Sequence, residues 1–143
     1  MTLEQLEDRQ AIVDLLISYA TALDTRDFEA LGRVYLPDAV AIYDGVRCEG
    51  LDAIKDICKA ALVPLTASQH FLGNFQVELD GDRAQSATYL HAQHFKAGAR
   101  GRSTYVMAGT YRDRLTRTDD GWRIEYRDLE ITWTDGNAAL VPA

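Results

Sequence analysis

Cysteine is scarce in this chain, and positive charge is in deficit. Cys48 and Cys58 are the only two cysteines in 143 residues, and their spacing is not metal-like. Both sit among apolar neighbours, so we expect two buried free thiols and a reducing, cytoplasmic setting rather than a disulfide framework. Fifteen Lys and Arg stand against 22 Asp and Glu, a net charge of −7. That balance argues against a nucleic-acid surface and against a polybasic membrane contact. It also disfavours a highly anionic substrate, unless one arginine overrides it locally. No apolar run approaches the length of a membrane span. The opening Met1–Asp8 is acidic and helical in pattern, unlike a signal peptide. The sequence also lacks internal repeats, low-complexity tracts, a Gly-rich phosphate loop, a G-x-S-x-G elbow and a Cys/His metal set. Nothing in it asks for a nucleotide, flavin or metal, so we expect no cofactor and no metal.

What is present suits one globular domain with a sizeable core: 47% of residues are hydrophobic and 26% charged. We expect the domain to span residues 1–135, with 136–143 a loose tail. Thr2 and Gln5 have capping-box spacing. Ile12, Val13, Leu16, Ile17, Ala20 and Leu23 then recur at helical steps. A short second helix is expected from Asp27 to Tyr35, ended by Pro37. Val40–Tyr43 and Val46–Glu49 read as a hairpin about Asp44-Gly45. Leu51, Ile54, Ile57, Cys58, Ala61 and Leu62 mark a third helix, ended by Pro64. Four long strands follow, at about 67–79, 84–96, 102–117 and 122–134, joined by turns rich in Asp and Gly. Helices followed by a meander make an α+β fold. Strands of this length curl, so we expect a cone-shaped antiparallel sheet, an α+β barrel, wrapped around three N-terminal helices. Its apolar interior is the place for a small-molecule site.

Two residues stand out against these patterns. Asp24 continues the apolar stripe of the first helix, where a carboxylate is costly unless paired. It either ends that helix or serves a site; Asp27 is better placed to cap the next helix. His70 opens the first long strand, where strict alternation puts it on the polar face. A bulge at Gly73 would reverse the phase and turn His70 and Leu72 inward with Phe75, Val77 and Leu79. Without that bulge, His70 is a solvated edge histidine.

His91 and His94 have H-x-x-H spacing, but on a strand they point to opposite faces and make a poor metal pair. His94 shares its face with Leu90 and Ala92 and is the better pocket candidate. Arg127 lies on the apolar face of the last strand with Leu129, Ile131 and Trp133. It needs either an oxyanion or a carboxylate partner, with Asp113, Asp128 and Glu130 available. Tyr19 and Tyr43 could each offer a hydroxyl to a substrate, or be satisfied core tyrosines. Tyr19 lies roughly 140° around the helix from Asp24, so both reach one pocket only if it is wide or the helix end is irregular. Asn74 completes the pocket candidates.

In their order and spacing, Leu23-Asp24-Thr25-Arg26-Asp27-Phe28, Gln69-His70-Phe71-Leu72-Gly73 and Gly121-Trp122-Arg123-Ile124 resemble the SnoaL-like group of the nuclear-transport-factor-2-like superfamily. The likeness runs from about Leu3 to Trp133. The group includes scytalone dehydratase, bile-acid dehydratase and lindane dehydrochlorinase. The resemblance implies a cone-shaped barrel with a deep pocket, a histidine base falling on His70 and an orienting aspartate falling on Asp24. The scytalone dehydratase pattern adds a tyrosine at Tyr43 and a second histidine at His94, but its tyrosine before the aspartate is Leu23 here. The bile-acid dehydratase pattern has a tyrosine matching Tyr19, and its second acidic residue has no clear match. The dehydrochlorinase pattern has a lysine where Tyr19 stands and an arginine matching Arg127.

The expectation is a cofactor-independent lyase that eliminates water from a small hydrophobic cyclic hydroxy-carbonyl compound. An isomerase or polyketide cyclase would need the same dyad. A non-catalytic ligand-binding domain would hold Asp24 and His70 as a structural pair. Expected partners are a small hydrophobic molecule and further copies of the chain, as a homodimer or homotrimer. Neither nucleic acid nor membrane is expected as a partner.

Overall fold

A computed structural model of the chain describes residues 1–141. Helix α1 (Leu3–Asp24) opens on the expected capping box. Thr2 Oγ1 accepts from the Gln5 backbone N–H, and Gln5 Oε1 accepts from the Thr2 N–H. Its buried face is formed by Ile12, Val13, Leu16, Tyr19, Ala20, Ala22 and Leu23. Ile17, expected on that stripe, is 45% exposed. Next to Leu16 in sequence, it is turned about 100° away from the centre of the stripe.

Asp27 accepts from the Ala30 N–H and caps a 3-10 segment, Phe28–Arg33. This segment replaces the expected second α-helix, so two α-helices and one 3-10 turn stand where three helices were expected. Pro37 does not end a helix; it lies inside strand β1 (Tyr35–Tyr43). The pairing of β1 is irregular between Tyr35 and Val40, and such a break tolerates a residue with no N–H to donate. Asp44 and Gly45, at φ 49° and 86°, make the turn to β2 (Val46–Glu49), in the left-handed geometry that matches strand twist. Helix α2 (Leu51–Leu62) follows.

The meander is β3 (Ala67–Asp80), β4 (Arg83–Phe95), β5 (Thr104–Thr118) and β6 (Gly121–Gly136). All six strands form one sheet in the order β2-β1-β6-β5-β4-β3. The sheet is mixed rather than antiparallel, because β1 runs parallel to β6. Turn chemistry fixes the sense of sequence neighbours only, and β1 meets β6 across most of the chain. The sheet curls but does not close, leaving β2 and β3 as its edges. Helix α1 lies along β3 and α2 along β1, so the helices cover the inner face. Along β4, Ala84, Ser86, Leu90, Ala92 and His94 point inward and are buried.

The bulge that His70 requires is present. Gly73 pairs with Tyr89 and Gln76 with Ala87, so Asn74 and Phe75 together oppose Thr88. The extra residue sits in the left-handed region at Asn74, φ 50°, a conformation asparagine tolerates better than most side chains. Partial burial accordingly passes from His70 and Leu72 to Phe75, Val77 and Leu79.

The described part of the expected loose tail is held down. Strand β6 runs to Gly136, and Ala138–Leu140 form a 3-10 turn. Asn137 Nδ2 donates to the carbonyls of Arg100 and Arg102, and Leu140 is 5% exposed within the core. A polar anchor and a buried leucine hold the segment down. Residues 142–143 of that expected tail lie outside the described residues.

Candidate active site

Asp24 closes the last turn of α1, and His70 stands on the inner face of β3 because of the bulge beyond it. Their side chains meet: Asp24 Oδ1 lies 2.7 Å from His70 Nδ1. Asp24 Oδ2 accepts from the His70 backbone N–H at 2.8 Å. Ser68, two residues before His70 and therefore on the same face, donates from Oγ to Asp24 Oδ1 at 2.9 Å. Arg26 follows α1 in a left-handed conformation, φ 62°. Its Nη1 reaches Ser68 Oγ at 2.8 Å and the Leu23 carbonyl at 2.6 Å.

The carboxylate is thus met by three donors. Burial pushes Asp24 upward, but the bonds from the His70 ring and backbone, the His70 charge and the Ser68 hydroxyl together bring it below the ordinary aspartate range. A lowered carboxyl stabilises the fold fully above its unfolded value, about pH 4, and that contribution disappears as pH falls through the lower folded value. Unfolding free energy measured against pH should therefore fall off more steeply on the acid side in the native protein than in Asp24→Asn, where this linkage is absent.

His94 lies beside the pair, 3% exposed, its ring centroid 6.0 Å from that of His70 at an interplanar angle of 81°. Its Nδ1 donates to the Tyr105 carbonyl at 2.9 Å. Burial lowers its pKa, and the Tyr105 hydrogen bond offsets this only in part. The neutral ring therefore presents Nε2 as a lone pair, an acceptor rather than a donor. His91, by contrast, is exposed on the outer face against Trp133.

Tyr19 and Tyr43 belong to a second group on the inner face. In the sheet register His70 is level with Ala92 and Met107, whereas Tyr43 is level with Leu129 and Tyr111. Tyr43 Oη lies 2.8 Å from Tyr19 Oη and 2.9 Å from Tyr35 Oη. Tyr19 and Tyr35 are each 1% exposed, whereas Tyr43 is only partly buried. Tyr43 Oη is the central hydroxyl of the three, in contact with both others and approached by Cys58 Sγ at 3.8 Å. Burial pushes Tyr19 and Tyr43 well up, so both stay neutral donors.

Arg127 is fully buried and paired with Asp113, Nε to Oδ1 at 2.7 Å and Nη2 to Oδ2 at 2.8 Å. Its guanidinium carbon lies 4.0 Å from the Tyr111 ring centroid and 4.3 Å from that of Tyr19. Of its alternatives, Arg127 has the carboxylate partner, and in this geometry it holds the core rather than an oxyanion. Asn74 does not join His70: it is the exposed bulge residue and lines an outer groove with Phe71, Tyr89 and Trp133. That groove, of about 490 Å³, contains none of Asp24, His70 and His94. Among the described residues, no group of three or more His, Cys, Asp and Glu side chains is arranged to hold a metal.

A curled mixed sheet covered by helices on its inner face, with an inward histidine–aspartate pair, makes an α+β build. The chain belongs to the SnoaL-like domain family, whose model matches residues 4–128. It is 36% identical over 129 residues to an uncharacterized protein of Mycobacterium tuberculosis, covering 87% of this chain and 85% of that one. It is 32% identical over 141 residues to the terrestric acid biosynthesis cluster protein E of Penicillium crustosum, covering 94% and 90%. In fold it is similar to the crystal structure of a proposed scytalone dehydratase from Novosphingobium aromaticivorans. There the TM-score is 0.87 at 22% identity, over 96% of this chain and 92% of that one.

Proposed function

We propose that this protein is a cofactor-independent lyase that removes water from a small hydrophobic cyclic hydroxy-carbonyl compound. The observation that carries this reading is the 2.7 Å contact between Asp24 Oδ1 and His70 Nδ1, with Asp24 held on its other sides by donors. An ionised carboxylate only accepts, so the His70 proton sits on Nδ1 and Nε2 is free to act as a base. Nε2 takes the acidic proton next to the substrate carbonyl, and the electron pair moves onto the carbonyl oxygen. A neutral hydroxyl donor stabilises the enolate, a role assigned to Tyr43 of the second inner-face group, whose Oη is bonded to Tyr19 and Tyr35. The electrons then return to form the alkene, the carbon–oxygen bond breaks, and the His70 imidazolium gives its Nε2 proton to the departing hydroxyl as water leaves. Asp24 stabilises the imidazolium between these steps.

His94 supports a second reading within the same chemistry. Its free Nε2 beside His70 can receive or relay a proton, which suits return of the proton to another carbon, an isomerisation. Loss of water is distinguished by the product. Incubation with a panel of cyclic β-hydroxy ketones should give new conjugated-alkene absorbance and one water lost per turnover. A product of unchanged mass would replace the lyase with the isomerase. The buried free thiols support a cytoplasmic setting, and the exposed Phe71, Tyr89 and Trp133 of the outer face support a homodimer or homotrimer.

A further inference from the structure

We infer that Ser68 and Arg26 are positioning residues: together they form a one-directional hydrogen-bond relay that sets the orientation and charge of Asp24, and through it the proton position on His70. The inference concerns the resting protein; only its consequence for turnover rests on the proposed base role of His70.

The direction of the relay follows from what each group can give. A guanidinium has donors and no acceptor. Arg26 Nη1 has two hydrogens and two neighbours, the Leu23 carbonyl and Ser68 Oγ. The Ser68 oxygen must accept there, so its own proton turns to Asp24 Oδ1. Oδ1 then receives both Ser68 and His70 Nδ1, while Oδ2 receives the His70 backbone. Each proton in the chain has one place to go.

The backbone at Arg26 makes this possible. A left-handed arginine is uncommon, and here it returns the side chain over the end of α1 to the Leu23 carbonyl, which also accepts the Arg26 backbone N–H at 3.2 Å. The same nitrogen reaches β3. Helix α1 and strand β3, which contribute Asp24 and His70 respectively, are thereby joined at the dyad by a second contact. Arg26 also brings positive charge to the site, where it acts together with His70 against protonation of His94. Asp24 faces His70 and Ser68 on β3, with His94 behind them on β4 and Arg26 beside its own helix.

The test is nuclear magnetic resonance of the full-length protein with labelled histidine and aspartate, in the native sequence and in Ser68→Ala, Ser68→Thr and Arg26→Gln. The native His70 ring should be protonated on Nδ1. Ser68→Ala should raise the Asp24 titration midpoint by about one pH unit, the size expected for losing a hydrogen bond to a charged group. Ser68→Thr should restore it, and Arg26→Gln should raise it in the same direction. A folded Ser68→Ala with the native midpoint, or a native His70 protonated on Nε2, would overturn the relay. If Ser68→Ala does not fold, Arg26→Gln with an unchanged midpoint overturns it instead. Because these signals need no substrate, they hold or fail whether or not the protein turns out to be a lyase.

Discussion

His70→Gln is expected to lower turnover by about 10²- to 10⁴-fold, the range supplied by a positioned general base, while the variant stays folded. The geometry explains why both halves hold together. Glutamine has no nitrogen lone pair to take a proton from carbon. Asp24, however, keeps the His70 backbone N–H, which is independent of side chain, and the Ser68 hydroxyl. The carboxylate is not left unpartnered in the interior, so the fold loses little. Asp24→Ala behaves differently. It strands the Ser68 hydroxyl, the backbone N–H and the His70 ring, and should cost about 1–3 kcal/mol of stability in addition to activity. Steady-state rates beside urea unfolding curves separate the two cases. A His70→Gln protein with native turnover would remove the base from the account.

The largest effect on stability is expected at Asp113, away from the dyad. Asp113→Ala leaves Arg127 as a fully buried cation whose Nε and Nη2 have lost their acceptor. Its Nη1 already has no hydrogen-bond partner among the described residues. Breaking a buried pair from one side costs about 3–5 kcal/mol, a large part of the roughly 5–15 kcal/mol that holds a domain together. The rings of Tyr111 and Tyr19 on either side of the guanidinium soften this but cannot replace a carboxylate. The melting temperature should fall by on the order of 10 °C or more. Replacing both members by apolar side chains of similar volume, as in Asp113→Leu with Arg127→Met, should recover most of that loss, because no unpaired charge is then left inside. Thermal unfolding of the three proteins decides it. A single Asp113→Ala variant that melts like the native protein would contradict the structural role of the pair.

Much of this was legible in the residues. The capping box, the Asp44-Gly45 turn, α2 and the four meander strands rest on local patterns, and local patterns survive folding. The inward turn of His70 was readable as a condition, since only a bulge near Gly73 reconciles it with Phe75, Val77 and Leu79. The left-handed residue is Asn74, one position on, which is why Asn74 is exposed and does not join His70. The parallel pairing of β1 with β6 was not readable, because it joins segments far apart in the chain. Nor was the strand through Pro37, where an irregular register outweighs the usual meaning of proline.

At the site, parity alone could have flagged Ser68, two residues before His70 on the same face. Arg26 could not have been found that way, because nothing in its neighbours announces a left-handed arginine. Tyr35 and Tyr111 were missed because a buried tyrosine cluster looks, in sequence, like ordinary core. In sequence, Arg127 offers a choice between an oxyanion and a carboxylate, and only geometry selects Asp113.

If His70, oriented by Asp24, is the base, it removes a proton from carbon. Deuterium uptake tests it without requiring that anything leave. Cyclic ketones that lack a leaving group would be incubated in D2O with the native protein and with His70→Gln, and exchange at the carbon next to the carbonyl followed by proton NMR. Uptake is expected above the buffer rate with the native protein and at the buffer rate with the folded variant. Equal uptake with both proteins would contradict it, because the proton would then be leaving without His70.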